Sequence, residues 1–282
     1  MDNINSQKLL EKIAAISGSE IVGNTAKSSK IRVYCGYQVS SSLHIGHIAG
    51  IKILNSLARR SEFQVMVLAA DLHMWMNKKR KPDQTLYSKM YQSFAKLLHP
   101  NIKVITGAFG RSGKLDGFQL ESKYMLRVIE LSNITTLARV SRALTADLKV
   151  KNKTVYLSNL LYPIMQIADI KELDIDVAIS GMDQRKIHML CRDSFKKINF
   201  KKPVLIHTPL LNNRGRKLSK SLNNGISIGD SICDLKTKLD KYSNSLKIQI
   251  SKLINCNPTT ESIAESFFNI THEQLYYKEI IG

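Results

Sequence analysis

The chain has 282 residues, 43% of them hydrophobic and 23% charged, the make-up of a globular protein large enough to bury a sizeable core. It carries 42 Lys and Arg against 23 Asp and Glu, a net charge of +19, which favours a polyanionic partner, nucleic acid being the usual one. No apolar run approaches the roughly 20 residues of a membrane-spanning helix, and four scattered cysteines with neither zinc spacing nor disulfide density fit a reducing, cytoplasmic setting.

Residues 30–37 (KIRVYCGY) are rich in β-formers, and residues 43–57 then carry apolar side chains at helical spacing: a strand, a loop and a helix. Apolar runs at 65–70 and 102–105 predict two more buried strands, separated by helical stretches. Residues 118–149 form one long helical pattern, and 157–170 another that includes Pro163. Strands at 176–180 and 203–207 flank a helix opened by Gly181-Met182-Asp183-Gln184. Such alternation implies an α/β fold with an open, doubly wound parallel sheet, whose ligands sit at the carboxyl ends of the strands. The acids are unevenly placed: residues 222–282 hold six Lys and seven acids, so the positive excess, and any nucleic-acid surface, falls on residues 1–221.

Two segments about 170 residues apart carry the chemistry: Leu43-His44-Ile45-Gly46-His47 and Lys217-Leu218-Ser219-Lys220-Ser221. His44 and His47, three apart at a helix start, share one face beside a partial positive charge, and Gly46 leaves room for a nucleotide to approach. Alone, a histidine pair at this spacing is more often structural or metal-binding, and a Lys-rich loop is usually only solvated. Together they fit activation of a carboxylate by ATP, which needs donors at the α-phosphate and a clamp, Lys217 and Lys220 with Ser219 and Ser221, on the departing pyrophosphate. No metal-ligand spacing stands out.

Both segments resemble the two signatures of class I aminoacyl-tRNA synthetases, the second with Leu218 where Met is usual. Tyr162-Pro163-Ile164-Met165-Gln166-Ile167-Ala168-Asp169, the run from Gly181 to Leu190, and Ala70-Asp71-Leu72-His73 followed by Asn77 resemble segments of tyrosyl-tRNA synthetases of the archaeal and eukaryotic type. The resemblance implies a Rossmann-like catalytic domain over residues 1–211 with a helical insertion at about 73–150 that mediates homodimerisation, a signature loop and linker at 212–228, and a mainly helical region at 229–282. It implies ATP and Mg2+ as cofactors, with Gly36, His44, Gly46, His47 and the Lys217–Ser221 segment at the nucleotide, and His44, His47, Lys217 and Lys220 in catalysis. It implies tyrosine as substrate, with Tyr34 and Asp169 at the phenol hydroxyl, Tyr162, Gln166 and Gln184 at the α-amino group, and Leu68 and His73 close by. It implies tRNA(Tyr) as partner, approached by Arg185 and Lys186. Lys78 to Lys81, Lys149 to Lys153, and Lys196 to Lys202 are basic clusters that suit phosphate contacts. Cys35, next to Tyr34, should point to the opposite face of its strand as a packed thiol.

Two departures qualify this. Where the family has an acid, then Pro, Ser or Thr, and Gly before the first signature, this chain has Gln38-Val39-Ser40-Ser41, which bears on the adenylation rate. Only 61 residues follow the second signature, so anticodon reading is expected to be reduced. A paralogue that passes tyrosyl-adenylate to another acceptor, and a catalytically weak RNA- or tyrosine-binding protein, are the competing readings.

Overall fold

In the computed structural model the described residues are 2–16, 19–24, 30–40, 42–110, 115–144, 154–213, 216–218 and 225–272, with the side chains of 2–5, 16, 216, 217 and 272 outside that description. Five predicted strands form: β2 (Ile31–Gln38), β3 (Phe63–Ala70), β4 (Lys103–Thr106), β5 (Val177–Gly181) and β6 (Val204–Thr208), all parallel to one another. A short β1 (Glu20–Val22), too brief to show as a periodic run, adds antiparallel to β6, giving the order β1-β6-β5-β2-β3-β4. The buried strands read as near-continuous apolar runs because both faces are covered.

On one face α1 (Asp2–Ile16), α2 (Ile48–Ala58) and α4 (Gln84–Leu97) share a core with α9 (Ile232–Asp240), α10 (Asn244–Ile254) and α11 (Thr260–His272). On the other, α5 (Ser122–Asn133), α6 (Leu137–Ala143), α7 (Leu157–Glu172) and α8 (Arg185–Lys197) form a second core, and α3 (Asp71–Lys78) packs against α7. Val33, Cys35 and Tyr37 face the first core and Tyr34 the second, as the pleat dictates. Burial pushes the Cys35 thiol up to about 12, so it is an inert packed group at neutral pH.

Two predicted helices are corrected. Residues 43–44 are extended, and a single 3-10 turn over Ile45–His47 precedes α2. The pattern at 118–149 breaks into a 3-10 turn (Phe118–Leu120), α5 and α6, with residues 145–149 outside the described set. The break falls at Ile134-Thr135-Thr136, three successive β-branched residues whose χ1 freedom a helix would remove, and Thr136 is extended. The segment after the second signature is tied to the main sheet: α10 reaches α2, where the Lys52 ammonium donates to the Leu253 carbonyl.

Candidate active site

A cavity of about 580 Å³ opens at the carboxyl ends of β2 and β5, where the chain, having run from β2 to β4 on one side, returns to build β5 and β6 on the other. That is the switch point at which doubly wound sheets hold ligands. Tyr34, Gly36, Gln38, His44, Gly46, His47, Tyr162, Gln166 and Gln184 all line it. Asp169, His73 and Leu68 do not; they lie behind its wall, fully buried or nearly so.

The first signature and Leu218 of the second both line the cavity, and the first is bonded to residues 226–228 beyond the second. The Ile45 N–H donates to the Ile226 carbonyl (3.0 Å) and the Ile228 N–H to the Leu43 carbonyl (3.0 Å), so the strand-like residues 43–45 and 226–228 are stitched antiparallel. Lys217 sits in β8 (Arg216–Lys217), paired with β7 (Asn212–Asn213), and the buried Leu218 lines the cavity. The Lys217 side chain and Ser219, Lys220 and Ser221 lie outside the described residues.

The first signature folds into a reciprocal cap. The His44 Nδ1 accepts from the Gly46 N–H and the His47 Nδ1 accepts from the His44 N–H, both at 3.1 Å, with ring centroids 3.8 Å apart. An accepting Nδ1 puts the proton of a neutral imidazole on Nε2, so each ring carries its N–H donor there. Gly46 is required by this cap: a Cβ would lie 2.8 Å from the His44 Cε1.

At the inner end of the cavity the Tyr34 hydroxyl is hydrogen-bonded to Asp169 and held well above its ordinary pKa, first by burial and then by the Asp169 charge. A Cβ on Gly36 would come 2.8 Å from that hydroxyl, so only glycine leaves the space above it open. Asp169 is wholly buried. One oxygen accepts from Gln119 Nε2 and the Tyr124 hydroxyl (2.7 Å each), the other from His73 Nε2 (2.6 Å). This set of donors around a single buried carboxylate repays its desolvation. Sequence reading did not reach Gln119 or Tyr124. Tyr124, Val128 and Leu131 occupy the buried i, i+4, i+7 stripe of α5, where a tyrosine is indistinguishable from a packed aromatic.

At the outer end Tyr162 and Gln166 stand one turn apart on α7, facing Gln184 in the 3-10 turn ahead of α8. The Gln166 and Gln184 amide oxygens are buried with no hydrogen-bond partner among the described residues. Asp183 lines the cavity beside them, and burial pushes the Tyr162 hydroxyl up to about 12. Gln38 donates to the Tyr162 hydroxyl (3.2 Å), so the residue that departs from the family pattern touches a predicted site residue. The Tyr162 hydroxyl and the two amide oxygens are acceptors on residues lining one cavity, and acceptors suit an ammonium, which has three donors and no acceptor.

Elsewhere the geometry redirects the expectations. Asp71, in a segment that resembles the family, is fully buried and accepts from the backbone N–H groups of Ala108, Phe109 and Gly110 and from the Tyr87 hydroxyl, fastening the loop after β4. Arg185 grips Glu20 of β1 through Nε (2.9 and 2.8 Å) and Nη2 (2.8 Å), leaving Lys186 as the exposed member of the pair. His188 and His207 form a buried pair (Nδ1 to Nε2, 3.2 Å), and desolvation pushes them down to about 3 and 4, so both are neutral at pH 7.

A parallel sheet with a polar cavity at its switch point, lined by the first signature and by Leu218 of the second, has the architecture of a Rossmann-like domain. The sequence model of tRNA synthetases class I (W and Y) matches residues 26–281, and the chain belongs to that family. It is 38% identical over 214 residues to the tyrosine–tRNA ligase of Methanoculleus marisnigri and 39% to that of Methanospirillum hungatei, in each case over 74% of this chain. It spans 64% and 65% of those ligases' lengths. Among solved structures it resembles the Archaeoglobus fulgidus tyrosyl-tRNA synthetase complexed with L-tyrosine (TM-score 0.66, 32% identity, 77% of this chain and 66% of that one). It also resembles the Aeropyrum pernix tyrosyl-tRNA synthetase (TM-score 0.70, 25% identity, 88% of this chain and 85% of that one).

Proposed function

We propose that the chain is a tyrosine-activating ligase that condenses L-tyrosine with ATP to tyrosyl-adenylate and pyrophosphate and transfers the tyrosyl group to tRNA(Tyr). The observation that carries this reading is the polarity of the cavity: two unpartnered buried amide oxygens beside the Tyr162 hydroxyl at one end, and the Tyr34–Asp169 hydroxyl–carboxylate pair at the other. An ammonium satisfies the first end and a phenol the second. Tyr34 meets the phenol hydroxyl, with Asp169 orienting it from behind and Gln119, Tyr124 and His73 holding the carboxylate in place. Gly36 keeps the passage open, and Leu68 forms part of the buried core beneath it.

The substrate carboxylate then attacks the α-phosphorus, and the Nε2–H groups of His44 and His47 face the oxygens on which charge accumulates. Lys217 and Lys220, with Ser219 and Ser221, hold the pyrophosphate as it departs. Among the described residues no group of three or more His, Cys, Asp or Glu could hold a metal, so Mg2+ is assigned to the nucleotide phosphates and not to a protein site. For RNA, Lys186 is the exposed contact, and Arg185 becomes one by exchanging Glu20 for a phosphate. The exposed Met125, Leu126 and Ile129 of α5 support a homodimer, and four free cysteines support a cytoplasmic location. Gln38 favours a second reading, a catalytically weak tyrosine or RNA binder, because it puts a neutral amide on Tyr162 at the point where this chain departs from the acid of the family pattern.

The test is tyrosine-dependent exchange of labelled pyrophosphate into ATP, followed by charging of total tRNA with labelled tyrosine. Exchange with charging is the expected result. Exchange without charging would replace tRNA by another acceptor, and no exchange would leave the binding reading.

A further inference from the structure

We propose that Trp75 and Phe109, with Lys78, Lys79 and Lys81, form a stacking platform for the unpaired 3′ end of an RNA entering the cavity; this rests on RNA being the partner. Trp75 is the only tryptophan of the chain and is 37% exposed, on the last turns of α3. Its ring centroid lies 5.5 Å from that of Phe109, which stands in the loop fastened by Asp71. The Lys81 ammonium covers both rings, 4.4 Å from the Trp75 centroid and 5.4 Å from that of Phe109. The Lys79 ammonium lies 4.8 Å from the exposed ring of Tyr156. No ion pair among the described residues engages Lys78, Lys79 or Lys81, whereas Arg80 beside them is paired with Asp83.

The platform adjoins the cavity. Asn77 and Lys78 line its mouth, and Trp75 and Lys78, three residues apart, lie on one side of α3. A large exposed aromatic covered by an ammonium group, outside both buried core clusters, is poorly explained as core. Flat rings interleaved with ammonium groups that no carboxylate neutralises among the described residues, Lys79 donating only to the Met76 carbonyl and the Ser158 hydroxyl, match the two surfaces that a nucleotide offers, a base face and a phosphate. Only unpaired nucleotides expose base faces, so the platform selects a single-stranded end over a duplex. A phosphate that draws Lys81 off the rings uncovers the surface on which the adjoining base stacks, so binding and charge neutralisation are one event.

The single tryptophan reports directly on this site. Titration with a single-stranded RNA of about six nucleotides should quench its fluorescence, with an affinity that falls as salt rises, while a blunt duplex of the same length should not. Trp75→Ala should raise the KM for tRNA in charging about tenfold, with tyrosine-dependent exchange in the absence of tRNA unchanged, and Trp75→Phe should restore most of the loss. No quenching, equal quenching by the blunt duplex, or an unaltered KM in the alanine variant would overturn the platform. If the chain shows no exchange activity at all, the fluorescence titration still decides the matter, so failure of the platform and failure of the ligase reading are separable.

Discussion

At Asp169 one carboxylate serves donors from four residues, and the consequences of removing it differ from those of removing any one donor. Asp169→Ala would take the carboxylate acceptor from Tyr34, Gln119 and His73 in a closed interior, with Tyr124 left only the Met165 carbonyl, so lost activity would be inseparable from lost folding. Tyr34→Phe is the sharper probe, because Asp169 keeps three donors and the ring volume is conserved. With the hydroxyl that faces the phenol gone, exchange driven by tyrosine should drop in kcat/KM by roughly 10- to 100-fold while exchange driven by phenylalanine changes little. An unaltered ratio of the two would remove Tyr34 from recognition. Its neighbour Gly36 shows how such a residue is read from sequence: glycine in a strand marks a close approach, and the object approached is the Tyr34 hydroxyl.

Elements differ in how plainly their sequences announce them. The central strands were legible because parallel strands buried on both faces are continuous apolar runs; β1 was not, because three half-buried residues carry no period. The histidine signature was legible as a motif but not as a geometry. Its cap closes locally, but the segment is fixed in place by Ile226 and Ile228, some 180 residues away, and no local propensity encodes that pairing. Helix α5 holds more information than its length suggests. Tyr124, Val128 and Leu131 bury one side, yet Met125, Leu126 and Ile129 on the other are 55%, 64% and 49% exposed. A helix apolar on both sides suits a second partner, the homodimer proposed above, and exposed Leu137 on α6 and Leu120 just ahead of α5 add to the apolar surface of this stretch of chain. Leu126→Glu combined with Ile129→Glu should halve the mass observed by sedimentation, with the thermal transition of the subunit nearly unchanged since both side chains face solvent. A wild type that sediments as a single chain would refute the dimer.

For the molecule as a whole, the charge excess on residues 1–221 places the basic surface on the same part of the chain as the cavity, and that much was visible from composition. What composition could not show is the charge balance inside. His188 and His207, set between β5, α8 and β6, are held neutral by burial, with Ser180 facing His188 and the Glu20–Arg185 ion pair facing His207. Their folded values of about 3 and 4 lie below the unfolded value of 6.5, so this contribution to stability is complete above pH 6.5. It is lost as pH falls through the interval between 6.5 and those folded values, because there the unfolded chain binds protons that the native pair refuses. At pH 5 His188 alone accounts for about 2 kcal/mol of lost stability, one and a half pH units at about 1.4 kcal/mol each. His188→Gln keeps a polar partner for Ser180 and His207 and removes the titration. Urea midpoints measured at pH 7 and pH 5 should therefore show a smaller acid loss in the variant than in the wild type, by about that amount. Self-repulsion of a chain at +19 grows with acid in both proteins and cancels in the comparison. Equal losses would mean that the pair takes up protons within the native fold, and the buried, neutral state assigned to it would be wrong.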